Sequence, residues 1–334
     1  MNRIVKLQED IRIISSAAVG GKEEGRGLLG ESFDLIDESD LFGMKSYEDA
    51  EGEMSRLSLN LALNKKNLSH ADLDFIAGGD LQNQCIATSN ALSSLSVPFL
   101  GLYGACSTCT EAILTAAAFL SSAKEMRLAC ALSSSHNSAA ERQFRNPLEY
   151  GGQRPPTAQW TSTAAASFVI GRGFFEGVRI SEYMIGKIVD GAIKDGANMG
   201  GAMSFAAFDT IRDYFKESGK THRDFDFIVT GDLGEVGSSI LAELLSDIGI
   251  PKTKHIDSGL LLYDKSRQDV HSGASGCGTS AAVLSLYLLP RLLSGEFEDI
   301  LFLSTGALMN PQGLLRGNNI LGIAPLIHLT RKDI

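Results

Sequence analysis

The chain has 334 residues, is 44% hydrophobic and 21% charged, and carries a net charge of −10 with a pI near 5.1. That length holds two units of ordinary size or one large fused domain, with a core that needs no staples. The acidic balance argues against nucleic-acid binding, which wants a basic stripe, and five cysteines, an odd number set mostly in apolar or Gly/Ala-rich runs, read as free thiols rather than a disulfide framework.

The segment Met1 to Asp10 is charged too early for a signal peptide, and no run of about 18 apolar residues predicts a membrane span. Residues 1 to about 50 are rich in Gly, Glu and Asp without clean periodicity and are expected to wander over the surface. Met54, Leu57 and Leu61 recur at helical spacing, which predicts a helix over 54–63. Ser69-His70-Ala71-Asp72-Leu73-Asp74-Phe75-Ile76 then runs on to Gly79-Asp80-Leu81, a polar turn, a buried strand and a loop. A short buried strand is predicted over 97–103 and a helix over 108–122, whose Ala112, Ala116, Ala117 and Ala118 permit close packing. A strand follows over 126–132. Residues 133–160 have too few periodic apolar positions for core and read as a long, functional insertion loop.

The second half retraces the first. Thr221-His222-Arg223-Asp224-Phe225-Asp226-Phe227-Ile228, with Gly231-Asp232-Leu233, repeats the earlier block at an offset of 152 residues. Aligning the later helices through Thr110 and Thr279, an offset of 169, places Gly104-Ala105-Cys106 and Gly273-Ala274-Ser275 in equivalent loops. A strand over 299–304 completes the copy. Strands alternating with helices in this order imply a mostly parallel, covered sheet in each half. The halves are expected at 1–175 and 176–334, sharing one core because no linker separates them.

Cys106 is the first candidate for chemistry. It lies where a strand gives way to a helix, and the amides and dipole of a helix N-terminus lower a thiol pKa. The same spot also suits a small buried thiol with no chemistry. Cys106 and Cys109 form a single Cys-x-x-Cys; the chain is far longer than a thioredoxin-like unit, and no nearby His pair makes it a zinc site. The run Gly273 to Gly278 lacks the Gly-Lys-Ser/Thr ending of a phosphate cradle. His136, Asn137, Arg142, Arg145, Tyr150 and Arg154 crowd into one segment after a strand end, where ligands gather in α/β sheets. Arginine forks bind carboxylates in bidentate fashion. The competing view is a solvated loop with local pairs to Glu141 and Glu149.

Gly104-Ala105-Cys106-Ser107-Thr108 resembles the nucleophile elbow of thiolases and ketoacyl-ACP synthases, and Thr163 to Ile170 resembles the strand that closes their first half. More narrowly, Ser134-Ser135-His136-Asn137, Ala140 to Arg145 and Glu149 to Gln153 resemble the stage V sporulation protein AD family. So do Gly79 to Gln84, Thr230 to Leu233 with Val236-Gly237-Ser238, and Gly306-Ala307-Leu308. The resemblance implies a thiolase-like five-layered α/β/α/β/α fold made of two similar halves. It implies a role in endospore formation: binding dipicolinic acid or its calcium chelate, and moving it into the spore and out on germination. It also implies a peripheral protein of the spore inner membrane, working with other proteins of the dipicolinate channel, and a possible homodimer.

The departures from the enzymes matter as much. Condensing enzymes set His with His or Asn beside the cysteine as base and oxyanion stabiliser. Where synthases carry Pro-His-Gln this chain reads Thr230-Gly231-Asp232, and where they carry Gly-Asn-Thr-Ser it reads Cys277-Gly278-Thr279-Ser280. His271 falls one residue out of the thiolase register, and a one-residue slip turns a side chain to the other face. The expectation is a fold that keeps the pocket and has lost the condensing machinery, with no cofactor and no metal. Cys106 and Ser135 would line the pocket. His136, Arg142, Arg145 and Arg154 would offset two carboxylates, and Asn137 and Tyr150 would orient the ligand. The rivals are an acyltransferase using Cys106 with His136 or His271, and a ligand-free scaffold that docks membrane partners.

Overall fold

Each half opens the strand next to its sheet edge with the same side-chain devices. Ser69 and Asp72 form a capping box around the short turn His70–Asp72, and Thr221 and Asp224 form its twin around His222–Asp224. Asp74 accepts from the amides of Arg127 and Leu128, at 2.6 and 3.0 Å; Asp226 accepts from those of Glu298 and Asp299, at 2.6 and 3.0 Å. These bonds fasten the strands Phe75–Gly79 and Phe227–Thr230 to their parallel neighbours, Leu128–Ser135 and Asp299–Leu303. The repeat in the sequence is therefore a repeat in space, and Phe75 and Phe227 begin equivalent strands.

The computed structural model describes residues 3–144 and 153–333. Its main sheet reads as two mirrored runs. From one edge inward come Phe99–Gly101, Phe75–Gly79, Leu128–Ser135, Ala164–Arg172 and Ile11–Gly21. From the other come His255–Asp257, Phe227–Thr230, Asp299–Leu303, Leu326–Thr330 and Val178–Met184. The runs meet where Arg12 and Ile13 pair with Arg179 and Val178. The helices Thr108–Ser122 and Cys277–Val283 pack on each other and on strands of the first half. Their facing residues, Ala112, Ala116, Ala281 and Ala282, are fully buried, and small side chains let the backbones approach. The helices Tyr47–Asn64 and Met199–Ser218 lie outside.

The stretch Cys277–Ser294 is long and apolar enough to cross a membrane, but 67% of it is buried in this core. It carries a π turn over Leu284–Leu288, just before Pro290. Proline offers no amide and crowds the preceding turn, and a wider turn accommodates it.

Two expectations are corrected. The N-terminal fifty residues do not wander over the surface: Ile11–Gly21 is an eleven-residue strand inside the sheet, largely buried. Both faces are covered, so polar–apolar alternation is lost, and Ser15, Ser16, Ala17 and Ala18 hide its strand character. The insertion is also not all loop, since Asn137–Phe144 is a helix.

A buried polar network lies on the strands of the second half. His328 Nε2 is 2.9 Å from Asp299 Oδ1, and its Nδ1 is 2.7 Å from Ser181 Oγ and 3.6 Å from Glu182 Oε1. Lys220 reaches Glu182 at 2.6 Å, and Lys332 Nζ reaches Asp299 at 2.5 Å.

Candidate functional site

The elbow forms as its small residues require. Ala105 has φ +55°, in the left-handed region, which costs an L residue about 1–2 kcal/mol. Only a tight fit holds it there. A Cβ on Gly104 would collide with the Glu111 carboxylate, and one on Gly306 would come within 2.5 Å of the Gly104 carbonyl oxygen. The strained turn places Cys106 at the head of the helix Thr108–Ser122, with its sulfur turned inward.

The equivalent loop from the second half meets it. Ser275, the counterpart of Cys106, brings its Oγ to 3.9 Å from the sulfur. Ser275 Oγ donates to Asp232 Oδ2 at 3.2 Å, the Gly276 amide donates to the same oxygen at 2.9 Å, and Thr305 Oγ1 donates to Oδ1 at 3.0 Å. A buried carboxylate thus stands behind the Cys106–Ser275 pair. Burial first, then Asp232, push the Cys106 thiol well above its ordinary value. Burial raises Asp232 itself to about 6, against the pull of its hydrogen bonds.

Above the sulfur is a cavity of about 100 Å³. Its walls are mostly apolar: Leu81, Tyr103, Ala140, Phe144, Met199, Leu308 and Met309, with Ala105 and Ala307. Cys106, Ser275 and Thr161 complete it. It lies between the halves, since Met199 and Leu308 come from the second and Phe144 from the first.

The other expected site residues scatter. Ser135 is fully buried and donates to the Ser162 carbonyl at 2.7 Å. His136 is buried against Tyr47, with Nε2 2.8 Å from the Asp40 carbonyl, and burial lowers its pKa. Asn137 donates its Nδ2 to the Thr161 carbonyl at 3.0 Å, bracing a cavity wall. Arg142 pairs with Glu48 at 3.0 Å and lies over the Tyr47 ring. Residues two apart on a helix point to opposite sides, so Ala140 in the cavity puts Arg142 outside it. Arg154 stacks on Trp160 and binds Asp269 at 3.0 Å. Arg145 and Tyr150 lie outside the described residues. His271 sits at φ +47°, with Nδ1 2.9 Å from the Pro155 carbonyl and Nε2 2.9 Å from Asp269, and makes no recorded contact with Cys106. The five cysteines are free and buried. Asp232 was legible in the sequence as part of the repeated Gly-Asp-Leu, and Ser275 as the counterpart of Cys106. What the sequence did not reveal is that they join Cys106 in one site. Met199 and Met309 carried no signal at all.

Two mirrored halves meeting at a cysteine elbow define a thiolase-like fold. A 3-oxoacyl-[acyl-carrier-protein] synthase III from Aquifex aeolicus VF5 superposes with a TM-score of 0.55 at 14% identity, covering 95% of this chain and 99% of its own. An OleA variant from Xanthomonas campestris gives 0.63 at 14% identity, covering 96% and 99%. The chain belongs to the stage V sporulation protein AD family, whose model matches residues 1–330. The stage V sporulation protein AD of Bacillus subtilis (strain 168) is 39% identical over 319 residues, 95% of this chain and 94% of that protein.

Proposed function

We propose that this sporulation protein binds dipicolinic acid, free or as its calcium chelate, in the cavity above Cys106 without bonding to it. In that role it takes part in uptake of dipicolinate into the spore and its release on germination, beside other channel proteins at the spore inner membrane. The observation that carries the reading is an apolar cavity kept above an elbow whose partner is a buried carboxylate in place of an imidazole. Such a site can hold a flat ring, and the carboxylate's charge disfavours the thiolate that a condensing step needs. Arg145 follows the cavity residue Phe144 in the chain and is the arginine we assign to the ligand carboxylates; Arg142 already answers Glu48.

Titration calorimetry with dipicolinate, with and without calcium, tests this. Wild type should bind. Ala140→Phe should abolish binding while the thermal midpoint holds, because the new ring occupies the cavity. Arg145→Ala should weaken binding about tenfold or more, the worth of one charge-assisted bond of roughly 1.5–3 kcal/mol. Arg142→Ala should change it by less than about twofold, since an exposed pair contributes little. No heat from wild type at millimolar ligand would contradict the proposal.

A further inference from the structure

The floor of the cavity holds a charge that binding a ring does not require. Asp232 is fully buried. Its donors are a backbone amide in a tight loop and the hydroxyls of Ser275 and Thr305, so its orientation is fixed. Cys106 Sγ, Ser275 Oγ and the carboxylate form one chain. Among the described residues no cation is recorded as a partner of Asp232. The other ionisable groups near the pair are also acids: Cys277 is raised by burial and by Cys106, and buried Asp257 is pushed up to about 7 by burial, with Asp232 adding to the rise. None of them offsets the carboxylate.

We propose that Asp232 is a positioning residue: it holds Cys106 as an uncharged thiol and makes the cavity floor repel anions, so a dicarboxylate enters with its uncharged edge toward the sulfur and its carboxylates toward the mouth. Like charges close together in a buried site oppose each other's ionisation, and the same field opposes an incoming anion. The orientation of dipicolinate rests on the function proposed above; the character of the floor does not.

Alkylation of Cys106, located by peptide mass spectrometry, tests the floor with two reagents alike except for charge. Iodoacetamide is neutral and iodoacetate is an anion. In both reactions the thiolate sulfur bonds to the methylene carbon, iodide leaves with the electron pair of the broken bond, and the thiol proton goes to solvent. Rates are referred to glutathione, which removes the intrinsic difference between reagents. In wild type, iodoacetate should lag iodoacetamide at least about tenfold, as expected when an anion must approach a buried carboxylate. Asp232→Asn should narrow that gap to about threefold or less and move the iodoacetamide rate profile to lower pH, because the thiolate no longer faces a charge.

Equal referred rates in wild type would overturn the proposal, and this result does not depend on the variant folding. An unchanged gap and profile in a folded Asp232→Asn would also overturn it. So would failure of iodoacetamide to label Cys106 in both proteins, because the floor would then be unreachable from the cavity. A separate arm adds dipicolinate. Slower labelling supports the ligand reading; charge selectivity without protection removes that reading and leaves the role of Asp232 standing.

Discussion

Replacing His328 by leucine is expected to cost the fold about 3 kcal/mol, the low end of what removing one member of a buried ionic group costs. The ring stands between Glu182 and Asp299, both nearly inaccessible, and packs edge-on against Phe225. Leucine keeps the apolar contact and removes both ring nitrogens. Lys220 and Lys332 still reach the two carboxylates, which is why the cost stays at the low end. The pH dependence should change as well. Burial alone would raise Glu182, but hydrogen bonds from His328, Lys220 and Tyr214 outweigh it and bring the group down to about 2. Asp299 is likewise lowered, with burial outweighed by His328, Lys332 and Thr330. A depressed carboxylate stabilises the fold above its unfolded pKa, and that contribution is lost as pH falls through the folded value. Wild type should therefore lose stability between about pH 4.5 and 2, and His328→Leu should show a shallower acid limb in denaturant midpoints. An unchanged midpoint at pH 7 would show that the network carries no net stability.

Glu24→Gln is expected to raise stability at pH 8 by about 3 kcal/mol, by removing a carboxylate that folding must otherwise bury in its charged form. Glu24 is 1% exposed. Its Oε1 accepts from the Thr163 amide at 3.0 Å and from the Tyr263 hydroxyl, and its Oε2 has no hydrogen-bond partner. Asp40 lies on the same side: a Cβ on Gly21 would lie 2.2 Å from Asp40 Oδ1 and 3.1 Å from Glu24 Oε2. Burial, above all, raises Glu24 from 4.5 to about 7, and the Asp40 charge adds to the rise. A carboxyl raised on folding gives stability that is complete below its unfolded pKa and is lost as pH rises through the folded value. Wild type should weaken between about pH 4.5 and 7, a limb opposite in sign to that of Glu182. Glutamine keeps the acceptor for Tyr263 and Thr163 and removes the charge. Midpoints compared at pH 5 and pH 8 measure the effect, and parallel pH profiles for the two proteins would contradict it.

The sequence exposed the duplicated half because each copy repeats side chains that fix backbone locally. Ser69, Asp72 and Asp74 answer Thr221, Asp224 and Asp226 one for one, and each bonds amides of its own turn or of the next strand. The strand Ile11–Gly21 stayed hidden because burial on both faces erases the alternation that marks a strand. The site was legible only in part. Cys106 stood out through its elbow. Asp232 was visible only as half of the repeated Gly-Asp-Leu, and its counterpart in the first copy does something local: Asp80 accepts from the amides of Gln82 and Thr88. Asp232 reaches forward to Ser275 and Gly276, a partnership no local pattern displays. The arginine cluster misled for a different reason. Nearness in sequence says nothing about facing. Once Asn137–Phe144 is a helix, its turn sends Ala140 and Phe144 to the cavity and Arg142 to Glu48.

A ligand held over Cys106 without a bond to it leaves the sulfur unacylated. Intact-mass measurement after incubation with an acyl thioester at neutral pH reads whether it stays so. Condensing enzymes begin by moving the acyl group onto the cysteine sulfur, which requires a thiolate. With the thiol raised by burial and by Asp232, the mass should be unchanged from that of the untreated protein. A single acyl adduct that maps to Cys106 and disappears in Cys106→Ala would contradict it.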